Sequence, residues 1–178
     1  MKKLTNMLVG VFCASLLATS AYAGTTNAPV IGDWVFTVGA NGATGTTRDG
    51  QTAFGLNMSA GRNLALFGAR EEAGVRQSVG YASSDGGTTL ASTRLYADVV
   101  VLSFNLSQNV PVDVYAGGNV GMTYGNTTLK WIAAPELGVD IWLAKNVAID
   151  GRIDYAFDLN SGRSENVLEY TIGVKFRL

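Results

Sequence analysis

The closing segment E-Y-T-I-G-V-K-F-R-L, Glu169 to Leu178, sets Tyr170, Ile172, Val174, Phe176 and Leu178 on one parity. Glu169, Thr171, Gly173, Lys175 and Arg177 fall on the other. Successive side chains of a strand point to opposite faces, so the segment reads as a strand with one oily face and one polar face. The pattern runs to the final residue without a polar tail. The chain is therefore expected to end inside a sheet, and a closed barrel is the arrangement that pairs both edges of such a strand.

The opposite end carries a different signal. Lys2 and Lys3 precede an apolar run from Leu4 to Ala18, and Ala21 to Ala23 form an A-x-A site. This is the layout of a secretory signal peptide, residues 1–23, with cleavage expected after Ala23. The run is too short for a membrane helix, which needs about 20 apolar residues. Val11 and Phe12 ahead of Cys13 lack the small residues of a lipoprotein signal, so acylation is not expected. Cys13 is the single cysteine and leaves with the peptide, which excludes disulfides and thiol chemistry from residues 24–178. Those residues are enough for one domain. The formal net charge of −1 becomes more negative once Lys2 and Lys3 are removed, which is no footprint for nucleic acid. The 22 glycines, spread without a collagen-like repeat, suit bending strands and tight turns.

Alternation recurs along the whole chain. Strands are expected over Asp33 to about Ala40, about Gln51 to Ala60, Ala73 to Ser83 and Leu90 to Leu102. Further strands follow over Val112 to Tyr124, Leu129 to Leu143, Val147 to Leu159, and from Val167 or Leu168 to the end. Turn chemistry separates them at Asn41 to Asp49, Ser83 to Thr89, Asn105 to Pro111, Gly125 to Thr128, Ala144 to Asn146 and Asn160 to Asn166. Arg62 to Glu72 has two readings, a long turn with a helical twist or an extension of the flanking strands. Pro135 lies inside the sixth strand, where a missing N–H predicts a bulge. The fold class is all-β: an eight-stranded antiparallel up-and-down transmembrane barrel. An even strand count puts both termini on the periplasmic side and leaves only short extracellular loops.

Alternation alone fits a soluble lipocalin-like barrel as well as a membrane barrel. Two features favour the membrane. The apolar parity carries almost no charge, as a lipid face requires. Its aromatics, Trp34, Tyr81, Tyr124, Trp131, Tyr170 and Phe176, sit toward strand ends as interface girdles do. The polar parity then lines the lumen. It collects Arg76, Arg94, Lys130, Arg152, Lys175 and Arg177 against Asp98, Asp113, Glu136, Asp140, Asp150, Asp154 and Asp158. These charges nearly cancel, and an eight-stranded barrel is just wide enough for side chains to fill. The expectation is a plugged, salt-bridged interior; a gated ion or proton path along the charges is the functional alternative.

The segments G-D-W-V-F-T-V-G-A-N-G (Gly32 to Gly42), V-R-Q-S-V-G-Y (Val75 to Tyr81), S-T-R-L-Y-A-D (Ser92 to Asp98), V-Y-A-G-G-N-V-G (Val114 to Gly121), W-I-A-A-P-E-L-G-V (Trp131 to Val139) and the closing strand resemble one known group. They are similar to small bacterial outer-membrane β-barrel domain proteins, single eight-stranded barrels like the OmpA transmembrane domain and OmpX. The resemblance spans nearly all of residues 24–178 and implies fold and location in the outer membrane of a Gram-negative bacterium. It brings no shared catalytic residues. Tyr170, Ile172, Val174, Phe176 and Leu178 resemble the C-terminal insertion signal of that group, with Leu178 standing where an aromatic usually ends the chain. The partners so implied are outer-membrane lipid and, during biogenesis, periplasmic chaperones and the barrel-insertion machinery. A monomer is expected.

The chain has no histidine, the usual general base near neutral pH. Asp150 and Asp154 share a face dense with charge, where ion pairing is the expected role. No metal or cofactor site is expected, since Asp49 and Asp85 lack calcium-loop spacing. An envelope component without chemistry of its own is the reading adopted, with a narrow pore, adhesion through the extracellular loops and a soluble lipocalin-like binding barrel as alternatives.

Overall fold

The computed structural model describes residues 32–45, 52–65, 70–82, 88–108, 110–125, 129–160 and 166–178. These form eight strands: β1 (Trp34–Gly45), β2 (Thr52–Leu64), β3 (Glu71–Ala82), β4 (Thr88–Ser107), β5 (Val110–Tyr124), β6 (Leu129–Ala144), β7 (Val147–Asp158) and β8 (Asn166–Arg177). Each pairs antiparallel with its sequence neighbours, and β1 pairs with β8 to close the barrel. No edge is left open, and β8 is paired on both sides, by β7 and β1.

The register sets the pitch of the walls. A path across the ladder from Asn63, beside Asp33, runs through Glu72, Asp98, Gly117, Glu136, Asp154 and Glu169 to Ala43. One circuit climbs about ten residues along β1, the stagger that closing a tilted eight-stranded sheet demands. Every residue named between Asn63 and Ala43 points inward, and most are acidic.

The two faces are inverted relative to a water-soluble protein. Outward residues are apolar and exposed, including Leu56, Met58, Val79, Leu95, Leu137, Ile153 and Ile172. Trp34, Phe36 and Phe176 ring the terminal end, while Phe54, Tyr81, Tyr124 and Trp131 ring the other. Inward residues are polar or small, and the fully buried set includes Thr37, Asp113 and Asp150.

Several boundaries differ from the sequence reading. Both strands flanking the ambiguous return continue into it, with Leu64 paired to Glu71, so the strand-extension reading holds there; residues 66–69 lie outside the described residues. The turn expected over Asn105 to Pro111 shrinks, because β4 runs on to Ser107 and β5 starts at Val110. The bulge expected at Pro135 is absent. Pro135 keeps its register with Gly118, and toward β7 the ladder skips from Ala133–Phe157 to Glu136–Asp154 without a shift. The ring sacrifices ladder pairs on one side only, and that is cheaper than re-registering a strand whose neighbours fix it on both edges. Bulges stand instead between Val100 and Leu102, Asn105 and Ser107, and Trp142 and Ala144. The first switches the parity of β4, so Leu102, Phe104 and Leu106 face outward where Val101 was expected to. The segment expected to be a signal peptide and most residues of the loops expected to be extracellular, with Asp49 and Asp85, lie outside the described residues.

Candidate functional site

Among the described residues the charged side chains gather in the lumen, and the register decides which sit side by side. Arg76 and Arg94 are direct cross-strand partners on β3 and β4. Glu136, Asp154 and Glu169 form a contiguous row on β6, β7 and β8, and Asp113, Asp140 and Asp150 a second row on β5, β6 and β7. Like charges facing one another on a sheet are destabilising. Compensation has to come from across the barrel.

It does, through three struts. Arg76 makes a bidentate pair with Glu136, its Nη1 and Nη2 donating over 2.8 and 3.0 Å, three strands away. Arg94 makes another with Glu169, at 2.7 and 2.6 Å, on the diametrically opposite strand. Lys175 Nζ on β8 donates to Asp140 Oδ2 at 2.7 Å and to Glu72 Oε2 at 3.3 Å. Forked guanidinium–carboxylate contacts are among the strongest side-chain hydrogen bonds, and they fix both partners in orientation.

Neutral groups complete the network. Asn119 Nδ2 donates to Glu136 Oε2 at 2.6 Å and to Asp154 Oδ1 at 2.9 Å, bridging two adjacent carboxylates. Arg152 lies within 3.5 Å of Asp154 and 3.7 Å of Asp150, and donates to Asn57 on the far wall at 3.2 Å. The Tyr115 hydroxyl donates to Asp150 at 2.5 Å, and the Tyr96 hydroxyl to Glu72 at 2.7 Å. Both rings lie flat on the wall because inward glycines make room. A Cβ on Gly61 would strike the Tyr96 hydroxyl, and one on Gly138 would strike the Tyr115 ring. Arg76 stacks over Tyr96 at 4.5 Å and Lys175 over Tyr115 at 5.0 Å.

The terminal end has its own cluster. Asp113 pairs with Arg70 and accepts from Trp142 Nε1 at 2.6 Å and Ser103 Oγ at 2.5 Å. Arg177 lies over the Trp142 ring at 4.3 Å and 4.0 Å from Asp33. At the other end Lys130 meets Asp158 at 3.4 Å, with the lysine side chain 40% exposed.

Of the inward charges singled out from the sequence, all point into the lumen and all but Lys130 and Asp158 are buried. Asp98 stands apart: it is buried opposite Gly117, and its Oδ1 has no hydrogen-bond partner among the described residues. It lines a small, partly open recess with Asn63, Glu72, Tyr115, Asp140 and Lys175. Sequence reasoning passed over Arg70 and Glu72, which sit in the ambiguous return. It also passed over Glu169, whose inward parity in the closing strand was visible. The asparagine and tyrosine linkers Asn57, Asn119, Tyr96 and Tyr115 carry no signal beyond parity.

Each strut carboxylate accepts from a fixed cation. Among the described residues no cluster of Asp and Glu has the geometry of a metal site.

No protein-family model matches the chain, and no curated protein matches it in sequence. Solved structures match its fold. Neisserial surface protein A aligns with a TM-score of 0.58 at 14% identity, over 82% of this chain and 97% of that one. The outer membrane protein OprG from Pseudomonas aeruginosa aligns at 0.55 and 11% identity, covering 86% and 99%. The outer membrane enzyme PagL aligns at 0.51 and 12%, covering 82% and 99%. The chain thus has the eight-stranded outer-membrane β-barrel fold.

Proposed function

We propose that this chain is an integral outer-membrane barrel of a Gram-negative envelope whose sealed lumen gives it a structural role, without transport or catalysis. The observation that carries the reading is the set of cross-lumen struts Arg76–Glu136, Arg94–Glu169 and Lys175–Asp140. They tie walls two to four strands apart across the lumen, and this crossing of the interior by paired side chains supports a plugged rather than an open barrel. The outer surface supports the membrane part of the reading: an apolar belt of this extent is costly in water and favourable in lipid. Export by the peptide of residues 1–23, cleaved after Ala23, supplies the route to the envelope. Tyr170, Ile172, Val174, Phe176 and Leu178, all exposed along the outside of β8, are the surface that the insertion machinery would read. The missing histidine and the occupied carboxylates argue against an enzyme.

A narrow pore is the second reading, favoured by the recess beside Lys175, into whose lining Asp98 brings one carboxylate oxygen without a hydrogen-bond partner. Gel mobility with and without boiling tests the folded membrane barrel, and planar-bilayer recording tests the seal. The expected results are a heat-dependent shift and no stable conductance. A steady single-channel current would overturn the sealed lumen, and a heat-insensitive protein in the soluble periplasm would overturn the membrane reading.

A further inference from the structure

The ion pairs of the lumen are unevenly matched at the end where both termini lie. Glu72, Asp98 and Asp140 line one recess there, together with Asn63, Tyr115 and Lys175, and Glu71 adds a carboxylate at the rim. Of the two cations on its wall, Arg70 is held by Asp113, which leaves Lys175 to serve the inward carboxylates. Lys175 Nζ donates to Asp140 through Oδ2 and to Glu72 through Oε2. Asp140 Oδ1 and Asp98 Oδ1 have no hydrogen-bond partner among the described residues. Both side chains are nine-tenths or more buried, with 4% and 9% exposed. An acceptor kept from water without a donor is costly, the more so when it carries charge.

We propose that this recess is a binding site for a primary ammonium group, held between Asp98 and Asp140. Charge selects a cation, because carboxylate oxygens on two separate strands are left over after Lys175 has made its pairs. Size selects a small one: the cavity measures about 20 Å³, room for one water-sized group and too little for a guanidinium or a quaternary ammonium. Geometry selects an ammonium over a metal ion, since no group of three Asp or Glu side chains among the described residues could ligate one. An ammonium needs only acceptors, and its third N–H faces solvent at the partly open mouth, beside the Asn63 amide. The same wall already holds such a group. Lys175 Nζ sits between two carboxylates with the Tyr115 ring 5.0 Å away, and Asp140 would stand between that ammonium and the second, one oxygen to each. The site goes beyond the structural role proposed above, and binding at one end of the lumen needs no passage through it.

Backbone amide shifts of the protein folded in detergent micelles, followed by NMR with methylammonium chloride as the probe, test the site. Saturable shifts are expected at Asp98, Asp140 and Lys175. None is expected with tetramethylammonium, which carries the same charge but has no N–H and exceeds the cavity. Asp98→Asn is expected to weaken methylammonium binding about tenfold. Asp158→Asn, which removes a carboxylate from the far end of the lumen, leaves it unchanged. Equal shifts with the two cations, sodium binding as tightly as methylammonium, or an affinity untouched by Asp98→Asn would overturn the proposal. So would the absence of any saturable shift, and the comparison of cations on the unmodified protein stands even if a variant fails to fold. The heat-dependent gel shift is read on the same samples, so loss of the site and loss of the membrane barrel are told apart.

Discussion

Two regions of the lumen wall contrast. Midway up β3 and β4 stand two arginines side by side, Arg76 and Arg94, while β5 to β8 opposite carry the two contiguous rows of carboxylates. Neither region is favourable by itself, since each places like charges on neighbouring strands. An open sheet of this sequence would hold its charges in the wrong company. Closure brings the regions face to face, and the struts turn two repulsive surfaces into one compensated interior. The difference teaches that charge here acts as negative selection against unclosed or misregistered sheets as much as it contributes attraction.

Removing a strut cation is the harshest way to break the contrast. Arg76→Met leaves Glu136 buried and short of a partner and is expected to cost about 3 to 5 kcal/mol in denaturant unfolding from vesicles. Reversal sharpens it. Arg94→Glu and Glu169→Arg should each destabilise the barrel, and combining them should recover a coupling of about 1 to 3 kcal/mol in a double-mutant cycle. If the double variant is no better than the sum of the singles, the walls are not coupled across the lumen. A steric probe comes next: Gly61→Ala forces the Tyr96 ring off the wall and away from Glu72, at about 1 to 3 kcal/mol, readable as a lower unfolding midpoint. The smallest effect belongs to the half-exposed pair at the far end, where Lys130→Ala is expected to change stability by less than about 1 kcal/mol. A loss as large as that of Arg76→Met would erase the distinction between strut and rim.

Much of this architecture was legible beforehand. Parity alone assigned Arg152, Asp154 and Lys175 to the inside and Ile153, Ile172 and Val174 to the outside, because a strand has only two faces and one-residue errors would put charge in lipid. Where parity failed, a bulge was responsible: the extra residue between Val100 and Leu102 reverses the faces of the rest of β4, and nothing local in V-V-V-L announces it. Pro135 misled in the other direction, since a proline signals a lost N–H but not how neighbouring strands absorb it. Glu72 and Arg70 were hidden by apolar residues spaced like a helix in the same return.

By itself the sequence determined the strand count and the two faces, since alternation and glycine-rich turns are local, and eight such strands with one apolar face each pointed to a closed barrel. It also determined that the interior would be nearly neutral, because composition is indifferent to arrangement. Only the tertiary structure decided who compensates whom. Arg94 and Glu169 are far apart along the chain and on opposite walls of the barrel, and their meeting depends on a stagger accumulated over every strand pair of the circuit. A shift of register at any one pair would leave each face as the sequence made it and every strut without its partner.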